Sequence, residues 1–104
     1  NMATLHHNIS GELTKELLAA GDGINVSKIS LTNIHASREC TVDLYIEKKL
    51  TGTFYLLKAV VLPVGATLIY EDIRFNNNSD QFGLYIKLTQ YLLASTPTVD
   101  VIIN

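Results

Sequence analysis

Four runs of this chain alternate apolar and polar residues with a period of two, and that period constrains the fold more than any other feature. Phe82, Leu84, Ile86 and Leu88 alternate with Gly83, Tyr85, Lys87 and Thr89. Val42, Leu44 and Ile46 alternate with Thr41, Asp43, Tyr45 and Glu47. Val99, Val101 and Ile103 alternate with Asp100, Ile102 and Asn104, and Ile29, Leu31 and Asn33 alternate with Ser30 and Thr32. Successive side chains of a strand point to opposite faces, so each run has one face to bury and one to show. Composition agrees: ten Ile, seven Val and ten Thr stand against seven Ala. Branching at Cβ favours the pleated surface of a sheet over a helix.

Three further runs extend the pattern. Thr53 to Leu62 is apolar on both faces, as a strand covered on both sides would be. Thr67 to Tyr70 and Ile73 to Phe75 read as two further short strands. Turn residues fall between the runs: Gly21-Asp22-Gly23, His35 to Glu39, Leu50-Thr51-Gly52, Pro63-Val64-Gly65, Asn76 to Asp80, and Ala94 to Thr98. Glycine supplies positive φ there, and Asn or Asp bonds its own backbone. Short strands spaced by turns predict an all-β chain, an antiparallel β-sandwich of immunoglobulin-like or jelly-roll-like form with about seven or eight strands. At 104 residues the chain holds one domain. We place that domain at residues 9–104, after an N-terminal extension at residues 1–8. Glu12 to Ala20 (ELTKELLAA) stands apart, with Leu13, Leu17 and Ala20 at helical spacing and Gly21 at a helix C-cap position. A weaker alternation of Leu13, Lys15 and Leu17 reads as a strand instead.

Charge narrows the function classes. The net charge is −2, which argues against a nucleic-acid binder that works by neutralising phosphates. The longest apolar runs, such as Ala59-Val60-Val61-Leu62, fall far short of the roughly 20 residues a spanning helix needs, and no membrane partner is expected. A single cysteine makes no internal disulfide. Cys40 enters a strand beside Arg38 and Glu39, where a small core residue is the expected role. His6 and His7 are adjacent and diverge on a strand, and His35 falls in a turn, so no zinc set forms. Asp22 and Asp80 sit singly in turns, and Glu71-Asp72 diverge as neighbours. No P-loop, GxGxxG or GxSxG motif is present, so neither a cofactor nor catalysis is expected.

What remains is surface. Only 17% of residues are charged, where an ordinary domain has about 25%. Tyr45 and Tyr85 face away from the apolar side of their strands and are candidates for a protein interface or a sugar platform. Phe54, Tyr55 and Tyr70 lie in apolar runs and are expected to be buried or interfacial. Tyr91, Leu92 and Leu93, with Val101 and Ile103 of the apolar C-terminal strand, add more apolar area than one small core absorbs. These residues predict self-association into a homo-oligomer or a larger assembly.

A likeness to a known group then enters through residues 28–73, KISLTNIHASRECTVDLYIEKKLTGTFYLLKAVVLPVGATLIYEDI. An alternating strand closes on Asn33. Ala36 to Cys40 turn into Thr41 to Ile46. Tyr55-Leu56-Leu57-Lys58 then leads through Leu62-Pro63-Val64-Gly65-Ala66-Thr67-Leu68 into the next strand, and Val99 to Ile103 completes the order. The whole resembles small virion structural proteins of tailed bacteriophages, particularly those of marine and cyanobacterial phages, which are similar to immunoglobulin-like β-sandwiches. The likeness implies a strand at Glu12 to Ala20. It further implies a non-catalytic component of the virion (head decoration, head–tail connector or tail part), partnered by its own copies and by other virion proteins. A carbohydrate- or receptor-binding module of a tail fibre, with a glycan as ligand, is the alternative expectation.

Overall fold

The structure, a computed structural model, describes residues 5–11, 14–21, 25–48, 51–76, 82–90 and 96–104, with side chains for all of these except 72–76 and 90. Eight strands lie among them: β1 (Leu5–Ser10), β2 (Thr14–Leu18), β3 (Asn25–Asn33), β4 (Cys40–Lys48), β5 (Gly52–Leu62), β6 (Thr67–Asn76), β7 (Phe82–Gln90) and β8 (Thr98–Ile103). They form two four-stranded sheets with the orders β1-β8-β3-β6 and β2-β7-β4-β5. Every pairing is antiparallel.

The pairings nest. β4 pairs β5, β3 pairs β6, β2 pairs β7 and β1 pairs β8, as in one long hairpin folded at its middle. Two more pairings, β3 with β8 and β4 with β7, roll that hairpin into the two layers. This order is that of a jelly roll. It decides between the two sandwich forms the sequence allowed, because an immunoglobulin sandwich sorts seven strands differently between its sheets.

The core lies between the layers. Leu84, Ile86 and Leu88 of β7, Val42 and Leu44 of β4, Ile29 and Leu31 of β3, and Val99, Val101 and Ile103 of β8 are all at most 1% exposed. These are the inward positions of the four alternating runs. Each fully buried Leu, Ile or Val contributes about 1.5–3 kcal/mol relative to an exposed one. Cys40, 2% exposed, joins the same cluster, and burial followed by the charge of Glu39 pushes its thiol pKa up. It is a protonated core side chain.

Several expectations change. Val101 and Ile103 are core residues, not interface residues: β8 sits between β1 and β3, and its alternation turns both toward the opposite sheet. Ile102 takes the outward position and is 39% exposed. Residues 5–8 belong to β1, whose register runs from Leu5 opposite Ile103 to Ser10 opposite Thr98. The sheet therefore begins four residues before the boundary at residue 9. Residues 14–18 are a strand, and a register shift between Glu16 and Leu18 lets both Leu17 and Leu18 point inward. Of the helically spaced set, Leu17 is buried and Ala20 exposed, so they share no buried face; Glu12 and Leu13 lie outside the described residues. The two short strands expected between Thr67 and Phe75 are one strand, β6, with its irregularity in register against β3.

β5 is not covered on both sides. It is an edge strand, and Phe54, Tyr55 and Val61 are about half exposed, at 47%, 49% and 50%. Two register shifts against β4 explain its mixed pattern. Lys58 and Ala59 together face Asp43, and Leu56 is the extra residue between the Leu57 and Tyr55 pairings. Ala59 takes φ 54°, in the left-handed region an alanine seldom adopts, and its N–H donates to Asp43 Oδ1 at 2.7 Å.

Asn33, 0% exposed, is the one buried polar residue of the described core. Its Nδ2 donates to the carbonyls of Arg38 at 3.0 Å and Leu62 at 2.9 Å. Its Oδ1 accepts from the His35 N–H at 2.9 Å. His35 Nδ1 in turn accepts from the Ser37 and Arg38 N–H groups, both at 3.0 Å. Asn33 thus ties the end of β3 to the loop before β4 and to the β5–β6 turn. Gly65, at φ 73°, closes that turn by donating to the Asn33 carbonyl at 3.0 Å. Asn33→Ala leaves two carbonyls and one N–H without their partner, and we expect a loss of about 2–4 kcal/mol. Asn33→Asp fails similarly, since a carboxylate donates nothing. Urea unfolding measures both, and a change below about 0.5 kcal/mol would contradict the bracket's role.

Candidate functional site

The outer face of the β2-β7-β4-β5 sheet carries a row of side chains crossing all four strands. Glu16 of β2 pairs with Tyr85 of β7, Tyr85 with Tyr45 of β4, and Tyr45 with Tyr55 of β5. Parity places them there. Leu44 is buried and Ile46 packs against the core, so Tyr45 between them points outward. Leu84 and Ile86 do the same for Tyr85. Tyr55 joins the row only because the extra residue Leu56 resets the parity of β5.

The rings touch in series. Tyr45 and Tyr85 stack with centroids 5.5 Å apart and planes inclined by 14°; Tyr45 and Tyr55 are 5.2 Å apart and tilted by 45°. Tyr85 O–H donates to Glu16 Oε2 at 3.2 Å, ending the row on a carboxylate. At the other end the Lys58 ammonium lies 4.5 Å over the Tyr55 ring and 3.5 Å from Asp43 Oδ2. A cation over a ring is worth about 0.5–1 kcal/mol at an exposed site. Gly83 makes room for the row: a Cβ there would stand 2.9 Å from Tyr85 Cε1, so the ring lies across the glycine. Lys48 lies 5.5 Å over the Phe82 ring at the end of the β4–β7 pair.

Partial burial, then the charges of Glu47, Tyr55 and Asp43, raises the Tyr45 pKa. Partial burial, then Glu16, Glu47 and Tyr45, raises that of Tyr85. Both phenols are neutral O–H groups at ordinary pH. Lys58 is slightly desolvated, which lowers its pKa, but Asp43 and Tyr55 outweigh that and raise it, so the cation is fully charged.

Of the sequence candidates, the structure brings Tyr45 and Tyr85 into contact with each other. Tyr91, Leu92 and Leu93 lie outside the described residues. Tyr55, expected buried or interfacial, is the most exposed ring of the row at 49%. Glu16 and Lys58 were missed, because neither parity nor composition tells which charged residues end a row. His6, His35 and Cys40 do not converge, and no three His, Cys, Asp or Glu side chains gather among the described residues. The face offers neutral rings and phenol hydroxyls between one anionic and one cationic end.

A jelly-roll sandwich with a tyrosine row is the class of protein the fold and face define. No protein-family model matches the sequence, and no curated protein matches it. Solved structures share the fold at low identity. PirA is similar at TM-score 0.63 and 12% identity, over 100% of this chain and 97% of that one. A chain of the cyanophage Pam1 capsid asymmetric unit is similar at TM-score 0.55 and 11% identity, over 97% and 81%. CBM32 of AlyQ, in complex with 4,5-unsaturated mannuronic acid, is similar at TM-score 0.52 and 13% identity, over 95% and 76%. At such identities the likeness is one of fold.

The raised phenol pKa values give a pH expectation. A phenol whose folded pKa lies above its unfolded value near 10 holds its proton longer in the folded chain. Its contribution is fully present below about pH 10 and is lost as pH rises through the folded value. We expect unfolding free energy to fall above about pH 10, and less steeply in Tyr45→Phe. Ultraviolet phenolate titration alongside urea unfolding checks this; identical slopes for both proteins would remove the row's part in it.

Proposed function

We propose that the chain is a non-catalytic structural component of a tailed-phage virion, a head decoration, connector or tail part, working by protein–protein contact. One observation carries the reading: large apolar side chains stand exposed outside the buried core of the described residues. Ile69 is 54% exposed on β6, Ile102 39% on β8, Val61 50% on β5, and Ile34 and Val64 both 45% in the adjoining loops. Exposed aliphatics on a rigid sandwich suit permanent packing against neighbours in a repeating shell. The fold shared with a chain of the cyanophage Pam1 capsid supports it, as does the resemblance of residues 28–73 to phage virion proteins. Mass spectrometry of purified particles tests the reading. The chain is expected at a copy number comparable to other structural proteins, and its absence from intact particles would sink the proposal.

A second reading, a glycan-binding module of a tail fibre, draws on Tyr55 and on the fold shared with CBM32 of AlyQ. A sugar stacks on an open ring face. Tyr45 and Tyr85 spend theirs on each other, and Lys58 covers Tyr55, so this reading stands second. A glycan array expects no hit for the wild type; a hit abolished by Tyr55→Ala would promote it.

A further inference from the structure

We infer that the tyrosine face is a self-complementary surface whose partner is a second copy of this chain, related by a two-fold axis parallel to the strands and midway between β4 and β7. The inference rests on the assembly reading above and deepens it by naming the contact.

Charge placement selects this arrangement. β4 and β7 are neighbours at the middle of the sheet, with Asp43 opposite Lys87, Tyr45 opposite Tyr85, and Glu47 opposite Gly83. A two-fold axis along the strands exchanges these two strands between copies. Tyr45 of one copy then lies over Tyr85 of the other, and Lys87 comes over the other copy's Asp43. Glu47 falls over the other copy's Gly83, across which that copy's Tyr85 ring lies. Outside them β2 of one copy lies over β5 of the other. Glu16 therefore meets Tyr55, over whose ring the Lys58 ammonium already sits at 4.5 Å. Each end of the tyrosine row becomes an ion pair, one at each end by symmetry, and no carboxylate is set on another. The axis at right angles, along the row, puts Glu16 on Glu16 and Asp43 near Glu47, which repulsion disfavours.

The composition of the face suits an isologous contact. The row of aromatic rings runs between charged residues, Asp43 and Lys87 on one side and Glu47 on the other. Tyr45 stacks on Tyr85 and packs against Tyr55, so the rings have little side-chain freedom left to lose on docking. Glu16 and Lys58 are both exposed, Lys58 with 62% of its side chain open, so both are within reach of another molecule.

The test uses the full chain in sedimentation velocity over a dilution series. Wild type is expected to show a concentration-dependent dimer. E16K sets two cations together at each end of the row, and K58E sets two anions together. Each substitution is expected to weaken self-association by an order of magnitude or more while circular dichroism reports the native sandwich. An equimolar mixture of E16K and K58E is expected to recover dimer at close to wild-type affinity, because each end then pairs a cation with an anion. That recovery separates the contact from any loss of folding in one variant. A wild type that is monomeric throughout overturns the inference, as does a dimer indifferent to E16K or a folded mixture that does not recover. Absence from virions, by contrast, removes the assembly reading and leaves such a dimer in place.

Discussion

The aliphatic layer between the two sheets is the constraint on which every other feature depends. Its inner positions on β7, β4, β3 and β8 are all but fully buried. A strand has only two faces, so burying Leu44 and Leu84 commits Tyr45 and Tyr85 to the outside. Slipping the register of β4 by one residue would bury Asp43, Tyr45 and Glu47 and expose Val42, Leu44 and Ile46, which the transfer energies forbid. The chemistry of the outer face is a consequence of the packing of the inner one.

The sheet margins follow a different logic. An edge strand presents unpaired N–H and C=O groups that invite uncontrolled pairing. β5 is an edge strand of eleven residues with an apolar sequence. Its two register shifts break the flat ladder, and Lys58 stands at one of them. Asp43 holds that kink from the neighbouring strand, accepting from the Ala59 N–H and pairing with Lys58. The carboxylate steadies a backbone conformation that alanine reaches at a cost of roughly 1–2 kcal/mol. The kink therefore discourages growth of the sheet through its edge, while the broad face remains open for contact. On the other sheet's outer face the polar pairs Asn8–Asp100, at 2.6 Å, and Thr32–Thr67, at 2.8 Å, brace the rows next to Ile102 and Ile69.

The central strands β4 and β7, and β3 from Ile29 on, are legible from alternation alone, because each buries one face against the other sheet and its period is undisturbed there. The edge strands are not. Leu17 and Leu18 on β2, and Leu56 and Leu57 on β5, are adjacent apolar residues that a bulge turns toward the same side. Such adjacent pairs break the period of two, so alternation no longer tells which face is buried. The apolar C-terminal run was read as surplus surface, and it proved to be core because β1 and β3 flank β8. Two of the five residues of the candidate face, Tyr45 and Tyr85, follow from parity. Tyr55, Glu16 and Lys58 do not, since their place depends on a register shift and on strands far apart in the chain.

Alternation along the chain specifies a β-sandwich and the buried faces of β4 and β7, and His35 to Glu39 and Pro63-Val64-Gly65 mark turns among the described residues. Those properties are local, set by side-chain alternation and by residues that favour particular φ values. The jelly-roll order, the bulges, the bracket at Asn33 and the crossing row of tyrosines arise from long-range pairing. Each of these depends on contacts between residues distant in sequence: Glu16 reaches Tyr85 and Asn33 reaches Leu62 only once the hairpin has rolled up. Alternation fixes which way a side chain points, and pairing alone fixes what it meets.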